Sequence, residues 1–563
     1  MNSLLKHSFL NILTMTTLSF SAFSQEVVRP EPEISTPVTS VSSVQGKDFM
    51  VVTANGHATK AAADILAQGG NAADAAIAAQ LVLGLVEPQS SGLGGGAFVV
   101  YYDAKNDEII TLDGREVAPQ EAHPSMFMHP TGEPFDFEEA VNSGLSVGAP
   151  GTPALLSHLY KNYGSLKKGE AFEAAIELAE QGFEISPRLA AMIEHDAYYL
   201  LLDENAKQYF LDERGKPLPA GHVLKNPDYA KTLRNFRSLG DKWFYEMAGK
   251  DIARVVSANA GIMTAADMAD YEVIERKPVC GPYRIYVVCS MDEPSSGGLT
   301  LLSALGMLER FDLSAGPTAR NIHLITEASR LAFADRNQYM ADPDFVASPS
   351  RNLIAPDYLA QRSAMINELK AQTTVSAGQI DNENGTSHIS IVDSMGNVLA
   401  MTTTIEGAFG SKLMTHGFLL NNEMTDFSFR PRDENGNDIA NAVAPGKRPR
   451  SSMAPVIVFD AEGKPFLTVG SAGGSRIIGF VMQAIISAID WDMPLEQSIA
   501  APHFLARSDT VELESSELMQ PLKNYGHPVK VGKMSSGMTA IQWDGEVMQG
   551  VADPRREGVA AGR

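Results

Sequence analysis

The sequence predicts an α/β fold, and three observations carry that reading. Apolar residues recur with helical period over residues 57–86. The stretch from about 150 to 345 is mostly helical in pattern. Runs rich in β-branched residues, near 97–112 and 387–404, read as strands. With 563 residues, 44% of them apolar, the chain is long enough for two domains or one large layered domain.

In chain order, Ala58, Ala61, Ala62, Ile65 and Leu66 fall on one helical face; Gly69-Gly70 ends that helix and Asn71 can cap the next. Ala72 to Val86 is apolar nearly all round, which predicts a helix buried between layers and too short to cross a bilayer. A glycine-rich turn, Glu87 to Gly96, precedes a strand at Ala97–Tyr102. A second strand, Glu108–Leu112, leads into Asp113-Gly114-Arg115-Glu116. Further helices are expected at Ala171–Gly182, Leu299–Phe311 and Asn321–Met340. On the last, His323 and Glu327 stand at i, i+4; no third ligand is spaced to join them, so a helix-face pair is expected rather than a metal site. Ser348–Asn384 is polar and ends in an exposed composition, Asp381 to Gly385. Strands Ser387–Val392 and Asn397–Thr404 then flank the turn sequence Asp393-Ser394-Met395-Gly396.

Charge and composition exclude several functions. Lys and Arg total 45 against 68 Asp and Glu, a net charge of −23, which repels nucleic-acid phosphates. No run of about 20 apolar residues follows position 25, so no stable membrane span is expected. Lys6 and His7 precede an apolar run that closes on Ala22-Phe23-Ser24, which reads as a signal peptide over 1–24. A Pro/Ser/Thr/Val-rich tether follows over 25–45. A periplasmic or secreted location follows from that reading. Such a compartment would permit Cys280 and Cys289 to pair. A turn centred on Gly281-Pro282, however, would not bring them together, and two free, buried thiols is the equal or better reading.

A hairpin symmetric about Met395 opposes Thr386 to Thr404, His388 to Thr402 and Ser390 to Ala400. Ile389, Ile391, Leu399 and Met401 then line one face. Thr386, His388, Thr402, Thr404 and Glu406 share the other. The segment Gly385-Thr386-Ser387-His388 with Ser390-Ile391-Val392-Asp393 resembles the processing site of the γ-glutamyltranspeptidases, which are N-terminal-nucleophile hydrolases. The resemblance runs through nearly the whole mature chain. It includes Gly69-Gly70-Asn71-Ala72, Glu87 to Gly96, Arg115-Glu116, Pro294 to Gly298, Leu420 to Phe427, Lys447 to Met453, Gly470 to Ser475 and Ala552 to Arg556.

The resemblance implies a four-layer αββα sandwich, self-cleavage between Gly385 and Thr386, a heavy chain over 46–385 and a light chain over 386–563 that stay together. It further implies that Thr386 is the nucleophile, with its freed α-amine, of reference pKa about 7.7–8.0, as general base. Thr404 would steady the nucleophile and His388 would be structural. The Gly473-Gly474 turn, between a strand at Phe466–Val469 and a helix from near Arg476, offers backbone N–H groups to an oxyanion. Arg115, with Ser451 and Ser452, would grip the α-carboxylate of a γ-glutamyl donor, while Glu406, Glu423 and Asp426 surround its ammonium. Some family members carry Asn and Gln where this chain has Glu406 and Glu423, which makes the pocket more anionic here. The segment Ser428–Gly446, a lid with an aromatic side chain in some transpeptidases, has only Phe429 at its edge, which favours water over an amine acceptor. No metal or organic cofactor is implied. The expected ligands are a small γ-glutamyl donor such as glutathione and an amino-acid, dipeptide or water acceptor. Rival readings are a same-fold amidase acting on glutaryl-β-lactam or poly-γ-glutamate substrates, and an uncut, non-catalytic periplasmic binding protein. The amino pocket argues against a glutaryl donor, and the retained Thr386, Thr404 and Gly473-Gly474 argue against loss of catalysis.

Overall fold

The computed structural model describes residues 43–167, 169–373 and 385–563. The expected signal peptide and nearly all of the expected tether lie outside these residues. The tether's last two residues, Val44 and Gln45, instead belong to a strand, Val44–Gly46, that pairs with Met548–Gly550.

Two seven-stranded sheets organise the chain. One runs, in spatial order, Val559–Gly562, Met50–Thr53, Gly385–Val392, Val398–Glu406, Gly96–Asp103, Glu108–Gly114 and Ile274–Arg276. The other runs Val44–Gly46, Met548–Ala552, Thr539–Trp543, Pro465–Gly470, Val456–Phe459, Tyr286–Ser290 and Val279–Tyr283. Alternation along each strand feeds three separate cores. Val51, Val99, Ile389, Ile391, Leu399 and Met401 of the first sheet pack on an outer helical layer that includes Gly56–Ala67 and Ala72–Val86. Their sequence neighbours Met50, Val52, Val100 and Ala400 turn inward to meet Ile457, Ile541 and Met548 of the second sheet. The second sheet's other face, through Val456, Val458, Val469 and Ala540, packs on helices Gly297–Leu308, Ala319–Tyr339 and Ile477–Ile489. Helix, sheet, sheet, helix is the expected four-layer αββα order.

The local signals act as read. Asn71 caps Ala72–Val86 in a capping box with Asp74, and every residue of that helix is buried. The helices expected from 171, 299 and 321 are found at Glu170–Gln181, Gly297–Leu308 and Ala319–Tyr339. Among the described residues no helix is long and apolar enough to cross a membrane.

Two expectations are corrected. Cys280 and Cys289 are joined in a disulfide, because the hairpin turns at Arg284 and not at Gly281-Pro282. Tyr283 pairs with Tyr286, so Cys280 falls directly opposite Cys289. Pro282 is tolerated inside the strand because Val279–Tyr283 is the sheet's edge, where a missing N–H costs no ladder bond. The second correction concerns His323 and Glu327, which acquire a third neighbour from 204 residues away: His323 Nδ1 lies 2.7 Å from His527 Nε2. His323 Nε2 meets the Asn367 carbonyl at 2.8 Å, and the Glu327 carboxylate pairs with Arg330 and accepts from the Gln372 backbone N–H at 3.0 Å. Burial lowers His323 and pulls His527 down to about 3, so both imidazoles are neutral. With a guanidinium already on the carboxylate, the cluster pins the segment Asn367–Gln372 to the helix.

Candidate active site

The nucleophile candidate sits where the central hairpin's register breaks. From Ser387 onward the pairing is as expected, with His388 opposite Thr402 and Ser390 opposite Ala400. Between Gly385 and Ser387 a bulge intervenes, and Gly385 pairs with Glu406. The extra residue is on the second strand, where Thr404 and Ile405 together oppose the single Thr386. Thr386 does not face Thr404 in register. Thr404 Oγ1 donates instead to the Gly385 carbonyl, at 2.6 Å, and accepts from the Glu406 backbone N–H at 2.8 Å. The Thr404 hydroxyl therefore holds the oxygen of the peptide bond that precedes Thr386. Gly95 makes this possible, since a Cβ there would lie 1.9 Å from the Thr404 carbonyl oxygen.

Neighbours fix the rest of the strand. His388 is fully buried, its Nδ1 is 2.8 Å from Thr402 Oγ1, and its ring lies against Gly470 of the other sheet. Burial pulls it down to about 3, which leaves a neutral imidazole held against Thr402. Arg556 Nη1 donates to the Thr386 carbonyl at 2.9 Å. Its sequence motif was visible, but its role was not, because 170 residues separate the partners.

Arg115, Thr386, Thr404, Glu406, Glu423, Asp426, Ser451, Ser452 and Gly474 line one small pocket. Of the sequence-derived set only Gly473 is missing from that lining. It stands one residue back, at φ 118°, with the Phe480 ring so close that a Cβ would meet it at 2.8 Å. Gly474, at φ 58°, is the turn glycine that reaches the pocket.

The charges are arranged differently from the expectation. Arg115, 1% exposed, does not face the acids across a gap. Its Nη1 pairs with Glu423 and its Nη2 with Asp426, while Nε donates to the Pro449 carbonyl at 3.1 Å. A further carboxylate, Glu116, lies 3.7 Å from Nη1 and is fully buried. Its place beside Arg115 in the sequence was the one signal available for it. Burial, reinforced by Asp426 and Glu423, pushes Glu406 well above the usual carboxylate range; burial and Glu423 do the same to Glu116. Burial raises Glu423 to about 7 against the opposing pull of Arg115. Glu406 also stands at φ 75°, a left-handed conformation rare for a side chain of its size. Arg115 is itself held from behind. Its backbone N–H donates to Asp113 at 2.9 Å, and its carbonyl accepts from Tyr271 at 2.8 Å and from Arg448 at 3.1 Å.

The lid segment's aromatic is engaged elsewhere. Phe429 stacks on Phe127 with ring centroids 4.7 Å apart, and it does not line the pocket. Asn441, farther along the segment, donates to the Asp426 carbonyl at 2.7 Å and accepts from the Arg450 backbone N–H at 3.0 Å.

The gamma-glutamyltranspeptidase family model matches residues 58–563. The chain belongs to that family. A γ-glutamyltranspeptidase-family chain of this length has full-length relatives. It is 37% identical to the glutathione hydrolase proenzyme of Bacillus subtilis (strain 168), over 92% of each chain. It is 35% identical to the glutathione hydrolase proenzyme of Escherichia coli (strain K12), over 98% of each. The solved cephalosporin acylase of Bacillus halodurans superposes with a TM-score of 0.83 at 25% identity, covering 95% of this chain and 99% of that one. As a member of the γ-glutamyltranspeptidase family the chain is an enzyme with the N-terminal-nucleophile hydrolase architecture.

Proposed function

We propose that the chain is a self-processing γ-glutamyl transferase and hydrolase acting on glutathione and related γ-glutamyl compounds. The observation that carries the donor class is the ion-pair cluster itself: Arg115 is already paired with Glu423 and Asp426 inside the pocket. A γ-glutamyl headgroup brings one carboxylate and one ammonium. It can insert so that Arg115 exchanges an acid for the substrate carboxylate while the released acid takes the ammonium, and no buried charge is left unpaired. Ser451 and Ser452 stand beside this exchange as hydroxyl donors. A glutaryl donor brings only the carboxylate and would strand an acid, which disfavours the acylase alternative despite the structural likeness.

The register break at Thr386 and the Thr404 contact to the Gly385 carbonyl support self-processing. Thr386 Oγ attacks the Gly385 carbonyl carbon, and the charge that develops on the carbonyl oxygen falls on the hydroxyl of Thr404, which already donates to it. The hydroxyl proton passes to the departing nitrogen as the Gly385–Thr386 C–N bond breaks, water hydrolyses the resulting ester, and heavy and light chains result. The freed α-amine of Thr386 then takes the hydroxyl proton as Thr386 attacks the γ-glutamyl amide. The α-amine then passes that proton to the amide nitrogen, the C–N bond breaks, the nitrogen leaves as an amine, and water or an amine acceptor releases the γ-glutamyl group from Thr386 Oγ. The Gly474 turn supports the oxyanion of this second reaction. Thr404→Val is expected to slow self-cleavage about 10²–10³-fold, the usual cost of one oxyanion donor. A time course of the full-length band on a denaturing gel reads it, and Thr404→Ser should restore much of the rate.

Export to the periplasm or medium fits the N-terminal sequence and the Cys280–Cys289 bond, which an oxidising compartment sustains. The deciding experiment is release of the anilide from a γ-glutamyl anilide, with and without a dipeptide acceptor. Turnover without acceptor, raised only modestly by the dipeptide, is expected, because among the described residues no aromatic lines the pocket. Failure to cleave the γ-glutamyl anilide, with release from a glutaryl amide, would reverse the donor assignment.

The raised acids give a pH signature with a definite sign. Glu423, raised to about 7, holds a proton in the empty pocket below that pH, and a protonated acid cannot pair with an ammonium. KM for the donor should therefore fall as pH rises through about 7. Stability runs the other way: the folded state binds more protons than the unfolded chain between the ordinary carboxylate pKa and about 7, so this group's contribution declines as pH rises through that window. Glu423→Gln should flatten the acid limb of the KM profile; an unchanged limb would assign it to another group.

A further inference from the structure

A second buried arginine stands directly behind the serine pair of the pocket. Arg336 Nη2 donates to Ser452 Oγ at 2.7 Å. Its Nε donates to Ser296 Oγ at 2.8 Å, and Ser296 Oγ donates onward to the Ser451 carbonyl at 2.6 Å. One guanidinium thus holds the Ser452 hydroxyl directly and, through Ser296, the Ser451 backbone carbonyl, while the Ser451 hydroxyl accepts from the Met453 backbone N–H at 3.1 Å. Arg336 lies in the last turn of helix Ala319–Tyr339, and Arg450 closes that helix end. Arg450 Nη1 donates to the carbonyls of Arg336 at 3.2 Å and Met340 at 3.3 Å. Because Arg450 immediately precedes Ser451, the helix terminus and the serine segment are fastened together on both sides. Arg336 itself does not line the pocket; Ser452 does.

The polarity of this chain has a consequence. A guanidinium has donors only, so Ser452 Oγ must accept from it, and the hydroxyl proton must point elsewhere. Accepting a charge-assisted bond also strengthens the hydroxyl as a donor. The pocket needs such help, because the charge of Arg115 is shared with Glu423 and Asp426.

We infer that Arg336 is a positioning residue for the donor's α-carboxylate: acting through Ser452, it turns that hydroxyl toward the carboxylate and supplies the cationic field behind it, while Ser296 braces the backbone at Ser451. The inference rests on the γ-glutamyl reading of the pocket.

The test compares two ligands that differ in one group. L-Glutamate has the α-carboxylate; 4-aminobutanoate keeps the amine and lacks it. Binding of each to processed wild-type enzyme and to Arg336→Gln, Arg336→Lys, Ser452→Ala and the Arg336→Gln/Ser452→Ala double variant is measured by calorimetry. KM and kcat are taken with the γ-glutamyl anilide. Arg336→Gln should weaken glutamate about tenfold, the worth of one charge-assisted hydrogen bond, and leave 4-aminobutanoate within about twofold. KM should rise with kcat nearly kept, Arg336→Lys should recover part of the loss, and the double variant should bind glutamate no worse than Ser452→Ala alone. Equal weakening of both ligands, or full additivity in the double variant, would overturn the inference. If Arg336→Gln does not fold or cut, Arg336→Lys is read by the same ligand contrast. Wild-type enzyme that binds glutamate but leaves the anilide intact would defeat the enzymatic reading while leaving this one standing.

Discussion

Thr386→Ala is expected to remain a single uncut chain on a denaturing gel, with no measurable release from a γ-glutamyl anilide. The hydroxyl is needed twice. Without Oγ the Gly385 carbonyl has no nucleophile, although Thr404 still holds its oxygen and the bulge is intact. Without cleavage the α-amine of residue 386 stays locked in a peptide bond and cannot serve as base. The variant should nonetheless fold, because Thr386 adds little to any of the three apolar cores, so near-native circular dichroism and a cooperative melt should accompany the full-length band. Thr386→Ser keeps the oxygen and is expected to cut slowly. Splitting of the alanine variant at the same bond would show that another group performs the attack.

Arg115→Gln should produce the second-largest effect, and on two readouts at once. The guanidinium is 1% exposed and pairs with Glu423 and Asp426, with Glu116 close by. Removing one partner from a buried ion cluster typically costs about 3–5 kcal/mol. Here the cost should fall toward the low end as pH drops, because Glu116, Glu406 and Glu423 are already raised and accept protons once the cation is gone. Melting temperature should therefore fall more at pH 8 than at pH 5. Donor kcat/KM should fall by at least about 10²-fold, since three or more kcal/mol of pairing with the substrate carboxylate is lost. A loss of stability with donor KM unchanged would mean that Arg115 only supports the acids.

How far the sequence revealed this site depended on distance along the chain. The hairpin from Ser387 to Thr403 was legible because alternation and one turn determine its register. Its failure at Thr386 was not, because the bulge answers to Gly95 and Glu406, whose constraints are tertiary. Arg115, Glu423 and Asp426 were recognisable as pocket residues, yet their mutual pairing was not. Opposite charges some 308 residues apart can face a ligand or each other with equal ease on paper. The same holds for Arg336, Arg556 and His527, each of which acts through a partner more than a hundred positions away. For the disulfide the misreading was local. Gly281-Pro282 draws attention as a turn, but an edge strand accommodates both residues, and the chain reverses at Arg284, φ 56°.

The strand order bears on what the proposed cleavage of the Gly385–Thr386 bond would leave behind. Met50–Thr53 lies between Gly385–Val392 on one side and Val559–Gly562 on the other, and Val44–Gly46 closes the opposite sheet against Met548–Gly550. Ribbons from before and after the cut are thus interleaved like the fingers of clasped hands. Parting them would require breaking strand pairings in both sheets. With the proposed cleavage, each molecule would keep the other half with which it was synthesised, and processed molecules in a mixed population would not trade halves.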